Sequence, residues 1–296
     1  MRSYWLGLLP LMFLTSCGMF QRGSTSSDGT QPKAFAPTRD VVRALAPSGT
    51  LRAAINFGNP ILARRGPAVN TMGSADPRGV SVDIAHELGR RLGVPVQLVT
   101  FEAAGKVVEG LKNATVDLVF VAIDPVRGAD ILYSAPYAVI EGSYLVPKAS
   151  PIRRNEDVDR PGVRVVVGKG SAYDLFLSRE LKAATLVSAV SSPAVSDLLV
   201  SGQYEVAAGV KQQLQADAQR LPGLRLLDGR FMEINQALGV PKTHEPGVAY
   251  LRAFVEELKS TGFVEKALAR HGIAGAAVAP AGVTSLVPTP GVGSSR

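Results

Sequence analysis

The chain reads as an α/β protein built in two lobes, and three observations carry that reading. Short apolar runs alternate with stretches of helical periodicity between about Val42 and Gly275, the pattern of a parallel sheet with covering helices. Some of the runs, Val116 to Ala122 above all, are almost continuously apolar, as strands are when both faces are covered. The alternation also occurs twice, once before and once after residues 140–160, which predicts two sheets and a crevice between them.

In the first half, Leu51 to Ile55 is a strand that stops at Asn56-Phe57-Gly58-Asn59-Pro60. Val82, Ile84, Ala85, Leu88 and Leu92 fall at helical spacing, and Gly93 and Pro95 close that helix. Val96 to Phe101 is a second strand, Val107, Val108 and Leu111 mark a second helix, and Val116 to Ala122 is the third strand.

In the second half, Val163 to Val167 is a strand and Ser171 to Leu181 a helix. Thr185 to Val187 and Val206 to Ala208 are strands. Between them Ser192 caps a helix that opens with Pro193. A helix over Val210 to Ala218 and an extended run over Ile234 to Val240 follow. Two helices, Pro246 to Ser260 and Phe263 to Ala269, finish the body.

The ends differ in kind. Arg2, the apolar stretch Trp5 to Leu14 and then Thr15-Ser16-Cys17 have the layout of a secretory signal peptide over residues 1–16. Leu14-Thr15-Ser16-Cys17 resembles the bacterial lipobox, which makes Cys17 the expected lipidation site and the protein an exported, membrane-anchored one in the periplasm. Cys17 is the sole cysteine, so no disulfide forms within the chain. Residues 17–41 read as a flexible tether and 276–296 as a disordered tail, from their Ser, Gly, Pro and Ala content.

Composition excludes several functions. The net charge is +7, but Lys and Arg are scattered in pairs such as Arg64-Arg65 and Arg153-Arg154, without the aromatic-interleaved basic stripe that nucleic-acid binding calls for. His86, His244 and His271 are dispersed, so no metal is expected. No coenzyme fingerprint is present and no cofactor is expected. Ser171 has no His/Asp partner in view, so no catalytic residue is assigned.

Ligands of open α/β sheets sit at the carboxyl ends of the strands, so the residues just beyond those ends are the candidates. Arg127, in Asp124-Pro125-Val126-Arg127, stands in a first helical turn, where the dipole disfavours a cation. It either receives an anion or pairs locally with Asp124 or Asp130. Gly168-Lys169-Gly170-Ser171-Ala172 is a glycine turn opening a helix, whose free amides attract anions; Gly170 lets a ligand approach the backbone and Ser171 caps or donates. Asn56 and Phe57 follow the first strand and either line the crevice or form a local turn. Lys106 reads as solvent-facing. Glu141 lies where the chain leaves the first lobe, and either contacts ligand or braces a hinge.

With these segments in hand, the body from Leu51 to Ile273 resembles the bacterial extracellular solute-binding proteins of family 3, the polar-amino-acid type that serve ABC importers. The resemblance rests on Gly79-Val80-Ser81-Val82-Asp83-Ile84-Ala85, on Asp124-Pro125-Val126-Arg127 with Tyr133-Ser134-Ala135-Pro136-Tyr137, and on Gly168-Lys169-Gly170-Ser171-Ala172-Tyr173-Asp174. It implies a type II periplasmic-binding-protein-like fold, with two α/β lobes joined by a two-strand hinge and a ligand cleft between them. Lobe 1 would comprise 42–142 plus 233–275 and lobe 2 would comprise 143–232.

The resemblance also implies that Arg127 and the helix start at Ser171-Ala172 hold a ligand carboxylate, that Asn56 and Phe57 line the cleft, and that an ABC permease is the partner. Two departures matter. The strand end before the arginine turn, often hydroxyl-bearing in the family, is Phe120-Val121-Ala122, with Ala122 at the cleft. Where amino-acid binders usually place an Asp for the ammonium, this chain has Gly209-Val210-Lys211. That favours a small organic acid, or an amino acid whose amine meets Asn56 or Glu141. Two rivals follow from the same scaffold: a dehydratase-like enzyme with Glu141 or Glu102 as general acid, and a sensory adaptor lipoprotein.

Overall fold

The structure, a computed structural model, describes residues 36–67 and 76–282. The expected signal peptide, Cys17, the tether up to residue 35 and the tail from residue 283 lie outside the described residues.

Helix α1 (Arg39–Leu45) is capped by Thr38, whose Oγ1 accepts from the Val41 amide at 3.3 Å. Strand β1 (Leu51–Asn56) follows, then a two-residue pair, β2 (Arg64–Arg65) and β3 (Pro77–Arg78). Helix α2 (Val80–Leu92) starts at Gly79, where φ is +136° and a Cβ would lie 2.3 Å from the Leu62 carbonyl oxygen; only glycine fits there. Next come β4 (Val96–Phe101), α3 (Ala104–Lys112), β5 (Leu118–Ala122) and the 17-residue β6 (Ile131–Pro147).

The second half runs β7 (Arg164–Gly168), α4 (Ala172–Glu180), β8 (Thr185–Ala189), α5 (Val195–Ser201), β9 (Val206–Val210), α6 (Lys211–Arg220) and β10 (Leu224–Leu226). Strand β11 (Met232–Pro241) returns to the first half, and α7 (Glu245–Ser260), α8 (Phe263–Arg270) and β12 (Ala277–Val278) end the described chain.

The two expected sheets are hydrogen-bonded into one, in the order β4-β1-β5-β11-β6-β9-β7-β8. The β4-β1-β5 and β9-β7-β8 groups are parallel, as the alternating pattern predicts. Strand β6 joins them, pairing antiparallel with β11 along Ile131 to Gly142 and with β9 from Gly142 onward. Pro136 is accommodated inside β6 because the β11 register shifts between Gln236 and Ala237, opposite it. The two crossing strands are therefore β6 and β11.

Period-two alternation sorts side chains onto the two faces. On one face Leu51, Ala53, Ile55 and Leu118 pack with Ile84, Leu88, Leu251 and Phe254. On the other face Ala54, Val119 and Val121 pack with Val107 and Leu111 of α3. The second half repeats this: Val165 and Val167 meet Tyr173, Phe176 and Leu177 of α4. Val166 meets Val195, Leu199 and Leu214.

Both expected boundaries of the body move outward. Helix α1 begins at Arg39, inside the stretch read as tether, because Val41 and Leu45 are buried. The chain expected to be tail from residue 276 instead adds β12 to β6 at Ala138 and Val139. There Ala279 is buried and Lys259 Nζ donates to the Pro280 carbonyl at 2.9 Å. A two-residue strand carries too little periodicity to be read from sequence.

Candidate functional site

Four strands end at one place. Strand β1 ends at Asn56, β5 at Ala122, β7 at Gly168 and β9 at Val210, and the ends of β1, β5 and β9, with the helix start that follows β7, surround a cavity of about 30 Å³. Its lining includes Asn56, Ala122 and Arg127 from the first half and Ser171, Ala172 and Val210 from the second. Residues from four separate stretches of the sequence thus share one gap between the two halves.

Arg127 is presented by a tight turn. Asp124 Oδ1 accepts from the Val126 amide at 2.8 Å and the Arg127 amide at 3.4 Å, which holds the single 3-10 turn Arg127–Ala129. The guanidinium residue is 4% exposed. It donates from Nη1 to the Ala122 carbonyl at 3.0 Å and from Nη2 to the Gly170 carbonyl at 2.7 Å, across the two halves. The local pairings open to it are otherwise engaged: Asp124 Oδ2 accepts from Arg179 and Asp130 pairs with Lys112. Loss of solvation pushes the Arg127 pKa below the ordinary arginine value, against weaker opposing effects of Tyr133, Asp124 and Asp174. A buried cation whose side-chain hydrogen bonds go to carbonyl oxygens and not to a carboxylate is costly, and a bound anion would offset that cost.

The opposite wall is a helix start. Gly170 has φ +70° and its amide donates to Asp174 Oδ2 at 2.7 Å, while Ser171 Oγ accepts from the Asp174 amide at 3.0 Å. These reciprocal bonds set the first turn of α4, whose amide end faces the cavity at Ser171 and Ala172. Gly170 itself does not line the cavity; it supplies the carbonyl that Arg127 grips.

Neutral polar groups complete the lining. Asn56 Oδ1 accepts from the Gly58 amide at 2.9 Å, an Asx turn that fixes the side chain. Asn59, Gln236, Ser192 and Tyr173 also line the cavity; Asn59 is open from sequence to the same choice as Asn56, cleft or local turn, while the sequence does not single out the other three as site residues. Among the described residues Asn59 Oδ1 is buried without a hydrogen-bond partner, and burial pushes the Tyr173 phenol up to about 12, against the opposing pull of Ser192 and Ser171. Orphaned buried polar atoms are uncommon and mark places where something else binds. Of the three, Gln236 carried a signal: an amide inside the apolar run from Ile234 to Val240. Among the described residues no Asp or Glu lines the cavity, and Val210 presents an apolar side chain to it.

Two expected contacts lie elsewhere. Phe57 packs into the first-half core, with the Arg65 guanidinium 4.7 Å over its ring, and is not part of the lining. Its place after β1 is one residue beyond the wall, and period-two geometry turns it away from Asn56. Glu141 is likewise absent from the lining. Its carboxylate accepts from Lys211 Nζ at 2.7 Å and Arg230 Nη1 at 3.1 Å, beside the crossing strands. Chiefly the Lys211 bond, reinforced by Arg230, holds its pKa below the usual carboxylate value. Lys106 is exposed and pairs with Glu109, and Glu102 pairs with Arg65.

Solved structures share this fold. The solute receptor for L-cysteine of Neisseria gonorrhoeae aligns with a TM-score of 0.65 at 23% identity, covering 77% of this chain and 92% of that one. An amino acid ABC transporter substrate-binding protein from Streptococcus pneumoniae, bound to L-arginine, aligns with a TM-score of 0.65 at 18% identity, covering 78% and 96%. An ancestral amino acid-binding protein, a precursor of cyclohexadienyl dehydratase, aligns with a TM-score of 0.64 at 20% identity, covering 79% and 99%. At such identities the likeness is one of fold, the type II periplasmic-binding-protein fold. No curated protein gives a significant match. The sequence profile of the bacterial extracellular solute-binding proteins, family 3, matches residues 64–273. That span is well over half of the chain, and the protein belongs to this family of bacterial extracellular solute-binding proteins.

Proposed function

We propose that this protein captures a small carboxylate-bearing solute by closing its two lobes on it, and delivers it to the membrane permease of an ABC importer. In this reading lobe 1 is residues 39–142 with 233–280, and lobe 2 is 143–232. The observation that carries the reading is Arg127: a guanidinium 4% exposed whose hydrogen-bond partners are two carbonyl oxygens. A carboxylate bridging Arg127 and the amide end of α4 would contact both lobes, and that differential contact drives closure.

The lining also argues for the ligand class. With no Asp or Glu among the described residues that line the cavity and Val210 on its wall, an α-ammonium group would be buried without a counter-charge in contact. Asn56, Asn59, Gln236 and the hydroxyls suit neutral polar groups instead. A small organic acid therefore fits better than an α-amino acid. Catalysis fits poorly, because Glu141 and Glu102 are engaged in ion pairs outside the lining. Acylation of Cys17 would hold the protein at a membrane, since each buried methylene contributes ~0.8 kcal/mol.

A thermal-shift screen of organic acids, amino acids and amines tests this. A ligand at 100 times its Kd stabilises by ~2.7 kcal/mol, an easily measured rise in Tm. Organic acids are expected to raise Tm, and Arg127→Ala to abolish the rise. A response to amines alone, or one that survives Arg127→Ala, rejects the reading.

A further inference from the structure

We propose that Arg179, on α4 of the second lobe, is the latch that holds the crevice shut, acting through Asp124 on the turn that presents Arg127. The inference rests on reading the gap as one that opens and closes. Arg179 Nη2 donates to Asp124 Oδ2 at 2.9 Å. The pair spans the gap: Asp124 follows β5, and Arg179 sits in the last turn of α4. Asp124 is 2% exposed, while a third of the Arg179 side chain remains exposed.

Asp124 has two jobs at once. Its Oδ1 holds the Val126 and Arg127 amides, and its Oδ2 receives the opposite lobe. Separating the lobes removes the second job and leaves the first, so the Arg127 turn survives opening while its carboxylate loses its cationic partner. The pair is thus an interaction that the closed state alone possesses.

The neighbouring contact shows how close the lobes come. A Cβ on Gly170 would lie 2.9 Å from the Gly105 Cα, so backbone meets backbone beside the latch. Arg179 is not part of the cavity lining. It is a positioning residue, setting how long the lobes stay together and not which solute enters. A charged hydrogen bond with one partner buried outweighs an exposed pair.

The test is single-molecule energy transfer between dyes on Asn113→Cys and Val190→Cys, exposed positions on opposite lobes, in a full-length Cys17→Ser chain. The closed-to-open ratio is read without solute and with malate as the probe carboxylate. Arg179→Gln is expected to lower the ratio about tenfold in both conditions, and to add nothing in an Asp124→Asn background. An unchanged ratio in Arg179→Gln, additive effects of the two substitutions, or a wild-type chain that never closes overturns the latch. If Arg179→Gln opens the protein while no carboxylate from the screen shifts the ratio, the latch stands and the proposed ligand class fails.

Discussion

Arg52 and Arg127 stand at opposite ends of the same parallel strands, and they are treated in opposite ways. At the amino end, Arg52 grips Asp117 twice, Nε to Oδ2 at 2.9 Å and Nη2 to Oδ1 at 2.6 Å, and its own amide donates to the same carboxylate. At the carboxyl end, Arg127 is more deeply buried yet meets only the Ala122 and Gly170 carbonyls. One guanidinium is paired with a carboxylate and the other bonds only to carbonyl oxygens. That difference is the one expected if the amino end of the sheet is structural and the carboxyl end binds the proposed solute.

The largest expected effect falls at the structural end. Asp117→Ala strands the Arg52 pair and should cost ~3 kcal/mol or more in stability, read by urea denaturation, with solute affinity of the folded protein unchanged. A loss of affinity equal to that of an Arg127 variant would erase the contrast between the two ends. Arg127→Ala is next: affinity for the best anion from the screen should fall about a hundredfold, ~2.7 kcal/mol by calorimetry. Stability should hold or rise, because a poorly satisfied buried cation is removed. A marked drop in Tm would mean that Arg127 is structural after all.

Gly170→Ala should weaken binding about tenfold, since the new Cβ both strains a φ of +70° and props the lobes apart at Gly105. Interlobe energy transfer would show the shift toward the open state, and an unchanged distribution would count against closure at this contact. The smallest effect belongs to Glu141. Its pKa lies below the ordinary 4.5 in the folded state, chiefly through Lys211. Its contribution is therefore present above about pH 4.5 and is lost as pH falls through the lowered value. Glu141→Gln should cost less than about 1 kcal/mol at pH 7 and nothing at pH 2.5, by thermal melts at the two values. A difference that grew on acidification would reverse the sign and discard the Lys211 pairing.

Much of this site was legible beforehand because strand ends are legible. Asn56, Ala122, Arg127, Ser171, Ala172 and Val210 each sit just where an apolar run stops, and the structure brings those stops together. Tyr173 and Ser192 were read as parts of capped helices, and Asn59 as part of a turn. Local pattern says that such a residue ends an element, and is silent on which gap its side chain enters. Phe57 and Glu141 failed for the converse reason: adjacency in sequence to the crevice does not set direction. Strand β6 went largely unread because Pro136 and Ser134 interrupt its periodicity. Its length matters only once β11 and β9 pair with it.

The amino-acid order alone determined the alternation of strands and helices, the faces each strand buries, the cap at Ser171, and the turn that presents Arg127. All of these follow from periodicity and from hydrogen bonds between near neighbours. Tertiary structure decided what no local signal carries: the fusion of two sheets through β6, the engagement of Glu141 by Lys211 and Arg230, and the meeting of Arg179 with Asp124. Those depend on pairings between residues dozens of positions apart, whose free energy exists only after the chain has closed on itself.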